Sequence, residues 1–167
     1  MDLITNIELE MKNSFLQILS TTTTGGGYTY YNDVTVVNVD DECVATERGD
    51  YPTISIYLEP DEKVLSGEQL AFMNEIYFKL VCSVSLNDPV DTPRFEINQK
   101  MNELLSDIKA NISDNYNLNC SCDLVEIIRS RRVYNDNGDE FRAGDLIIDL
   151  KVKYVQSRLN PNRKCLR

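Results

Sequence analysis

The sequence predicts an α+β fold: an antiparallel sheet of about five strands with two helices packed on one face. Three observations carry this reading. Asp145–Val155 alternates, with Leu146, Ile148, Leu150, Val152 and Tyr154 on one face and Asp149, Lys151 and Lys153 on the other. That is the pattern of a strand buried on one side only. Two other segments, Leu3–Leu19 and Arg94–Asn115, repeat apolar residues every three or four positions, as helices do when they lay one stripe on a core. Finally, Asn135-Asp136-Asn137-Gly138 is a hairpin signal, because Asn and Gly accept positive φ at little cost.

Taken in order, the first helix places Ile4, Ile7, Met11, Phe15, Ile18 and Leu19 on its stripe. Four threonines and three glycines from Thr21 to Gly27 end it, and Ser20–Gly27 reads as a flexible loop. Asp33–Val39 reads as the first strand. Asp40–Asp50 is an acidic connection, with room for a short strand near Cys43–Thr46. Pro52 limits the start of the second strand, Thr53–Leu58, and Pro60–Gly67 reads as a turn-rich acidic loop. Glu75–Leu86 alternates as the third strand. Two prolines between Asn87 and Pro93 break the chain, and Thr92-Pro93 opens the second helix. That helix gathers Ile97, Met101, Leu104, Leu105, Ile108 and Ile112 on one side. Cys122–Tyr134 and Asp145–Val155 form the closing hairpin. The second face of the sheet, with Tyr77, Val81 and Ile147, is partly apolar and is predicted to be covered by a neighbouring subunit. Residues 1–157 read as a single α+β domain and residues 158–167 as a basic, exposed C-terminal tail.

Composition narrows the function. The formal net charge of −10 disfavours binding of free nucleic acid, which needs a basic face. The charge is also unevenly distributed. Asp40, Asp41, Glu42, Glu47, Asp50, Glu59, Asp61 and Glu62 form an acidic stretch that is a candidate lumen or interface segment. Arg129, Arg131, Arg132, Arg158, Arg163, Lys164 and Arg167 are the candidate basic docking segment. Complementary faces of this kind steer and register subunits. The five cysteines fit no disulfide framework, and with no signal peptide at the N-terminus they read as reduced thiols in a cytoplasmic setting. The longest apolar run, Ile76–Leu86, is too short and too polar to span a bilayer, so no membrane contact is expected.

The chain has no histidine, which removes the commonest general base and metal ligand. Cys120-Ser121-Cys122 lacks a second pair of soft ligands at zinc spacing and reads as small, half-buried residues. Gly25-Gly26-Gly27 has no following Lys-Ser/Thr and follows a helix, unlike a phosphate loop. Aligning Gly138 with the calcium-loop glycine puts Val133 and Gly144 where carboxylates are required. The best enzymatic alternative is a metal-dependent nuclease. Asp149-Leu150-Lys151 puts a carboxylate and a lysine on one side of a strand, and Asp136, Asp139 or Asp145 would supply a second magnesium ligand. A weaker second instance is Asp50 with Asp61-Glu62-Lys63. Asp149 and Lys151 fall on the polar face opposite the core stripe, where a solvated ion pair is the simpler reading. No catalytic residue, cofactor or metal ligand is therefore assigned.

A helix at Leu3–Leu19 precedes the Tyr-Pro-Thr-Ile-Ser-Ile strand at Tyr51–Ile56 and the long strand Glu75–Leu86. A helix containing Met-Asn-Glu-Leu-Leu-Ser-Asp-Ile at Met101–Ile108 follows, and a late strand ends in Ile-Ile-Asp-Leu-Lys-Val-Lys-Tyr at Ile147–Tyr154. This order resembles the tail-terminator family of long-tailed bacteriophages and the related neck and tail-tube ring proteins. The Thr/Gly loop and the basic C-terminal extension depart from the pattern. The resemblance implies a non-enzymatic virion subunit, made in the host cytoplasm, at the head–tail junction or the tail end. It further implies a homo-oligomeric ring of six or twelve copies, flanked by portal, neck or tail ring proteins, with DNA passing through without specific binding. An acidic lumen suits such a channel, because like charge keeps phosphates from sticking.

Overall fold

The alternation and helical stripes resolve into one layered arrangement in a computed structural model that describes residues 3–20, 35–38, 53–67, 71–86, 92–135 and 143–157. The elements run α1 (Leu3–Ser20), β1 (Thr35–Asn38), β2 (Thr53–Gly67), β3 (Ala71–Ser85), α2 (Pro93–Asp114), β4 (Leu124–Asn135) and β5 (Ala143–Ser157). They form a five-stranded sheet of order β1-β2-β3-β5-β4.

Strands β2, β3, β5 and β4 are antiparallel to their neighbours, as the alternation predicts. β1 is the exception: it pairs with β2 in parallel, Thr35 beside Thr53 and Asn38 beside Ile56. Two parallel neighbours need a crossover of about a dozen residues or more, and residues 39–52 supply that length. The predicted loop at Pro60–Gly67 is also corrected. β2 continues through it to Gly67, with a break in register between Leu58 and Glu62 opposite Tyr77. The bulge places Pro60, which has no N–H to donate, outside the ladder, and the strand resumes beyond it.

Strand period two sorts the core. Ile54, Ile56, Ile76, Phe78, Leu80, Cys82, Val84, Leu146, Ile148, Leu150 and Val152 all point to one face and are buried there. Each such side chain contributes roughly 1.5–3 kcal/mol through burial. The α2 stripe, from Ile97 through Met101, Leu104 and Ile108 to Ile112, belongs to the same apolar cluster, as do Leu3, Ile7 and Met11 of α1. At Gly144 of β5 the α2 helix comes very close: an added Cβ would run into Met101 Cε and lie 3.0 Å from Ile97 Cγ2. The two helices are tied by a buried polar pair. Ser14 Oγ donates to Asn111 Oδ1 at 2.6 Å, and Asn111 Nδ2 donates to the Ser14 carbonyl at 2.8 Å. Because both partners are buried, breaking either bond leaves a desolvated group unpaired.

The predicted loop at Thr21–Gly27, the strand near Cys43–Thr46, the Asp136–Gly138 turn and the tail 158–167 lie outside the described residues. No described helix is long and apolar enough to cross a membrane.

Candidate functional site

The face of the sheet turned away from the helices carries an ionic lattice. Cross-strand neighbours on this face lie within reach of one another, and the register makes Lys79, Asp149 and Arg129 one row across three strands. Arg129 grips Asp149 with Nε at 2.8 Å and a terminal nitrogen at 2.6 Å. Lys79 pairs with Glu59 at the β2 bulge. In the next row Lys151 reaches Glu126 at 2.9 Å and Glu75 at 3.9 Å, and Lys153 reaches Glu126 at 3.5 Å. Lys151's hydrogen bond holds Glu126 below the usual glutamate range, and the same bond raises Lys151 above the usual lysine range. Tyr77 donates to Glu75 at 2.9 Å, and that bond, ahead of burial, raises its phenol. Ser83 Oγ donates to Asp145 at 2.7 Å.

A second break in register, between Ile127 and Arg129 of β4, turns Ile128 out to 54% exposure. The β2 and β4 bulges flank a depression of about 550 Å³ bordered by Glu59, Tyr77, Lys79, Ile128, Arg131 and Asp149.

The acidic and basic candidates divide. Asp40, Asp41, Glu42, Glu47 and Asp50 lie outside the described residues, as do Arg158, Arg163, Lys164 and Arg167. Glu59 is engaged by Lys79. Glu62 accepts a hydrogen bond from the buried Tyr154 hydroxyl, and Asp61 is exposed beside it. Arg129 is engaged by Asp149, and Arg132 donates to Asn102 of α2 at 2.5 Å. Arg131 is exposed on the opposite face of β4 from Arg132.

The two flanks of the sheet therefore differ in sign. Beyond Ile56 no described strand pairs with β2 on its far side, and this stretch is acidic on balance, with Glu59, Asp61 and Glu62 against the exposed Lys63, beside the exposed Val64 and Leu65. β4, on the other flank, carries Arg131 and Arg132 with the exposed Ile128 and Val133. Composition indicated the two charges. The apolar residues beside them were not singled out, because isolated exposed aliphatics carry no pattern.

Of the nuclease candidates, Asp50, Asp136 and Asp139 lie outside the described residues, which leaves Asp145, Asp149 and Lys151 to be placed. Asp149 and Lys151 do share a face, but each is held by an oppositely charged partner. Asp145 lies four residues from Asp149 on the same strand, about 13 Å away at 3.3 Å per residue, too far to share one ion. No group of three or more Cys, Asp or Glu converges as a metal set among the described residues. Cys82 is buried, and burial, with Asp145 second, pushes its thiol well up, so it stays protonated. Cys122 is buried and Cys120 exposed.

Comparison with protein-family models and with curated proteins gives no match.

Proposed function

We propose that this chain is a structural ring subunit at the head–tail junction or tail end of a tailed bacteriophage, of the tail-terminator or connector type, assembling with copies of itself around the DNA channel. The observation that carries the proposal is the opposed chemistry of the two flanks. One side presents Asp61 and Glu62 with Val64 and Leu65; the other presents Arg131 and Arg132 with Ile128 and Val133. Two different, complementary flanks on one subunit make a heterologous contact, and a heterologous contact closes into a ring when its rotation allows. Exposed aliphatics rimmed by polar and charged residues are also the usual make-up of an interaction patch. The resemblance drawn from the sequence points the same way, and the net charge of −10 suits a channel that DNA must traverse without sticking.

Size-exclusion chromatography with light scattering, followed by negative-stain imaging, tests this directly. Discrete rings of six or twelve copies are expected. Arg131→Glu should dissolve them and Asp61→Arg in the same chain should restore them, since the double variant re-creates the pairing with reversed signs. A monomer at all concentrations in the wild type sinks self-assembly. If rings are indifferent to both changes, the flank assignment is wrong. The rival nuclease reading has an equally direct test: magnesium-dependent cutting of DNA that disappears in both Asp149→Ala and Lys151→Ala would replace the ring proposal.

A further inference from the structure

The helices cover only the inner half of β2. On the side that faces them, Ile54 and Ile56 are fully buried and Leu58 packs against the core, but beyond the bulge Glu62 is exposed and Val64 is 59% exposed. Both belong to that side. Glu62 stands opposite Ile76 and accepts the Tyr154 hydroxyl on Oε1, and Val64 stands opposite Asn74, the register partner of Tyr154. The outer half of β2 is therefore a tab beyond the cover of the helices. Its helix side carries a carboxylate and an aliphatic side chain about 7 Å apart.

The open face of the sheet offers a matching pair at β4. Ile128, turned out by the bulge, and Arg131 border the depression there. Its other charges cancel, Lys79 with Glu59 and Arg129 with Asp149. Arg131 remains as an exposed cation without a hydrogen bond or ion pair among the described residues. The depression thus accepts one carboxylate beside one aliphatic group. Ile128 and Arg131 lie at most about 10 Å apart along β4, and the length of the arginine side chain closes the difference from the tab.

We propose that the tab of one copy lies on the depression of the next, with Glu62 on Arg131, Val64 on Ile128 and Asp61 at the rim, so that successive subunits overlap like roof tiles. This rests on the ring reading and specifies how its two flanks meet. The orientation fits a ring. When every copy turns the same face outward, the helix side of a tab looks onto the open side of its neighbour's β4, and each subunit uses its tab once and its depression once. A continuous ladder between the two flanks is opposed by the strands themselves. Each flank carries a bulge, between Leu58 and Glu62 of β2 and between Ile127 and Arg129 of β4, and bulges and charged side chains keep an edge from adding a strand.

The test is disulfide trapping between subunits in the full chain with Cys43→Ser, Cys120→Ser and Cys165→Ser; Cys82 and Cys122 are buried. Ile128→Cys is combined with Val64→Cys or, as a control on the other side of the tab, with Lys63→Cys. Each variant is checked for native circular dichroism and for ring size by light scattering, oxidised with copper-phenanthroline and run on a non-reducing denaturing gel. We expect the pair with Val64→Cys to turn most chains into covalent multimers up to the size of the ring, while the pair with Lys63→Cys and each single variant stay mostly monomeric on the gel. Rings that form without this link, or that link equally through Lys63→Cys, overturn the overlap and leave the ring reading in place. If the paired cysteines themselves loosen the rings, Val64→Asp decides: it should turn rings into monomers, and unchanged rings overturn the overlap. A wild-type chain that stays monomeric at all concentrations overturns both the overlap and the ring.

Discussion

Leu118, Asn119 and Cys120 hold φ values of 45°, 54° and 66°, three successive non-glycine residues in the left-handed region. Side chains there cost about 1–2 kcal/mol each, with Asn least penalised. The turn is held by Leu118, which is buried, and by backbone bonds from Ser121 N to the Leu118 carbonyl and from Cys122 N to the Asn117 carbonyl. Cys120 is exposed and its Sγ accepts one long hydrogen bond, from Asn117 Nδ2 at 3.7 Å, so its side chain offers little in return. Cys120→Gly should raise stability by about 0.5–1 kcal/mol, the relief at positive φ less glycine's extra chain entropy, read as a higher urea midpoint at unchanged slope. The Glu126–Lys151 pair gives a second prediction at this scale. Glu126 is lowered in the fold, so its stabilisation is complete above the ordinary glutamate value and is lost as pH falls through the folded one. Lys151 is raised, so its share is complete below the ordinary lysine value and is lost only as pH rises through the folded one. Neutral pH lies inside both limits. A carboxyl-detected NMR titration should place Glu126 below a free glutamate, and Lys151→Met should return it upward. An unchanged midpoint would mean that the pair does not form in solution.

Gly144 shows how one position sets the distance between elements. Any Cβ there meets Met101 Cε and comes within 3.0 Å of Ile97 Cγ2 and 3.1 Å of the Val133 carbonyl. The methionine end can swing aside, but the isoleucine and the backbone of β4 cannot, so Gly144→Ala should cost about 1–3 kcal/mol by forcing α2 off the sheet. Adding Met101→Ala should recover only part of this, because the other two contacts remain and a cavity opens. A full recovery in thermal or urea unfolding would show that the methionine was the whole obstacle. The sequence made most of these elements legible, since stripes and alternation report directly which residues meet the core. It placed α1, α2, β3 and β5 within a few residues, but it mistook the second half of β2 for a loop. Pro60 and the acids Glu59, Asp61 and Glu62 read as a turn because local preference is all that a window of sequence contains. The bulge that accommodates the proline depends on pairing with β3, which is not local. The same limit hid the parallel partner of β1, since strand direction is decided by where the connection runs and not by the strand's own four residues.

At the scale of the whole molecule, charge composition indicated an acidic and a basic part, and the sheet order sets the part of each that lies in described strands on opposite flanks. What composition could not do was separate cations already engaged from those left facing outward. Arg129 and Arg131 are indistinguishable in the sequence, yet the first is held by Asp149 and the second is not. This difference makes assembly testable by amide hydrogen exchange. β3 and β5 are bonded on both sides, whereas β4 has only β5 as a neighbour among the described residues, and β2 beyond Ile56 has only β3. Slow exchange should therefore centre on β3 and β5 in the isolated subunit, with β4 and the outer half of β2 faster. A ring built flank to flank adds protection only where the contact forms. Comparing the wild type with Arg131→Glu at one pH and temperature, the assembled form should gain protection in residues 59–67 and 124–135, with β3 and β5 unchanged. Protection that rises uniformly would point to general stiffening. A gain confined to β3 and β5 would put the contact on the face of the sheet, because flank contacts leave those central ladders as they are in the free subunit.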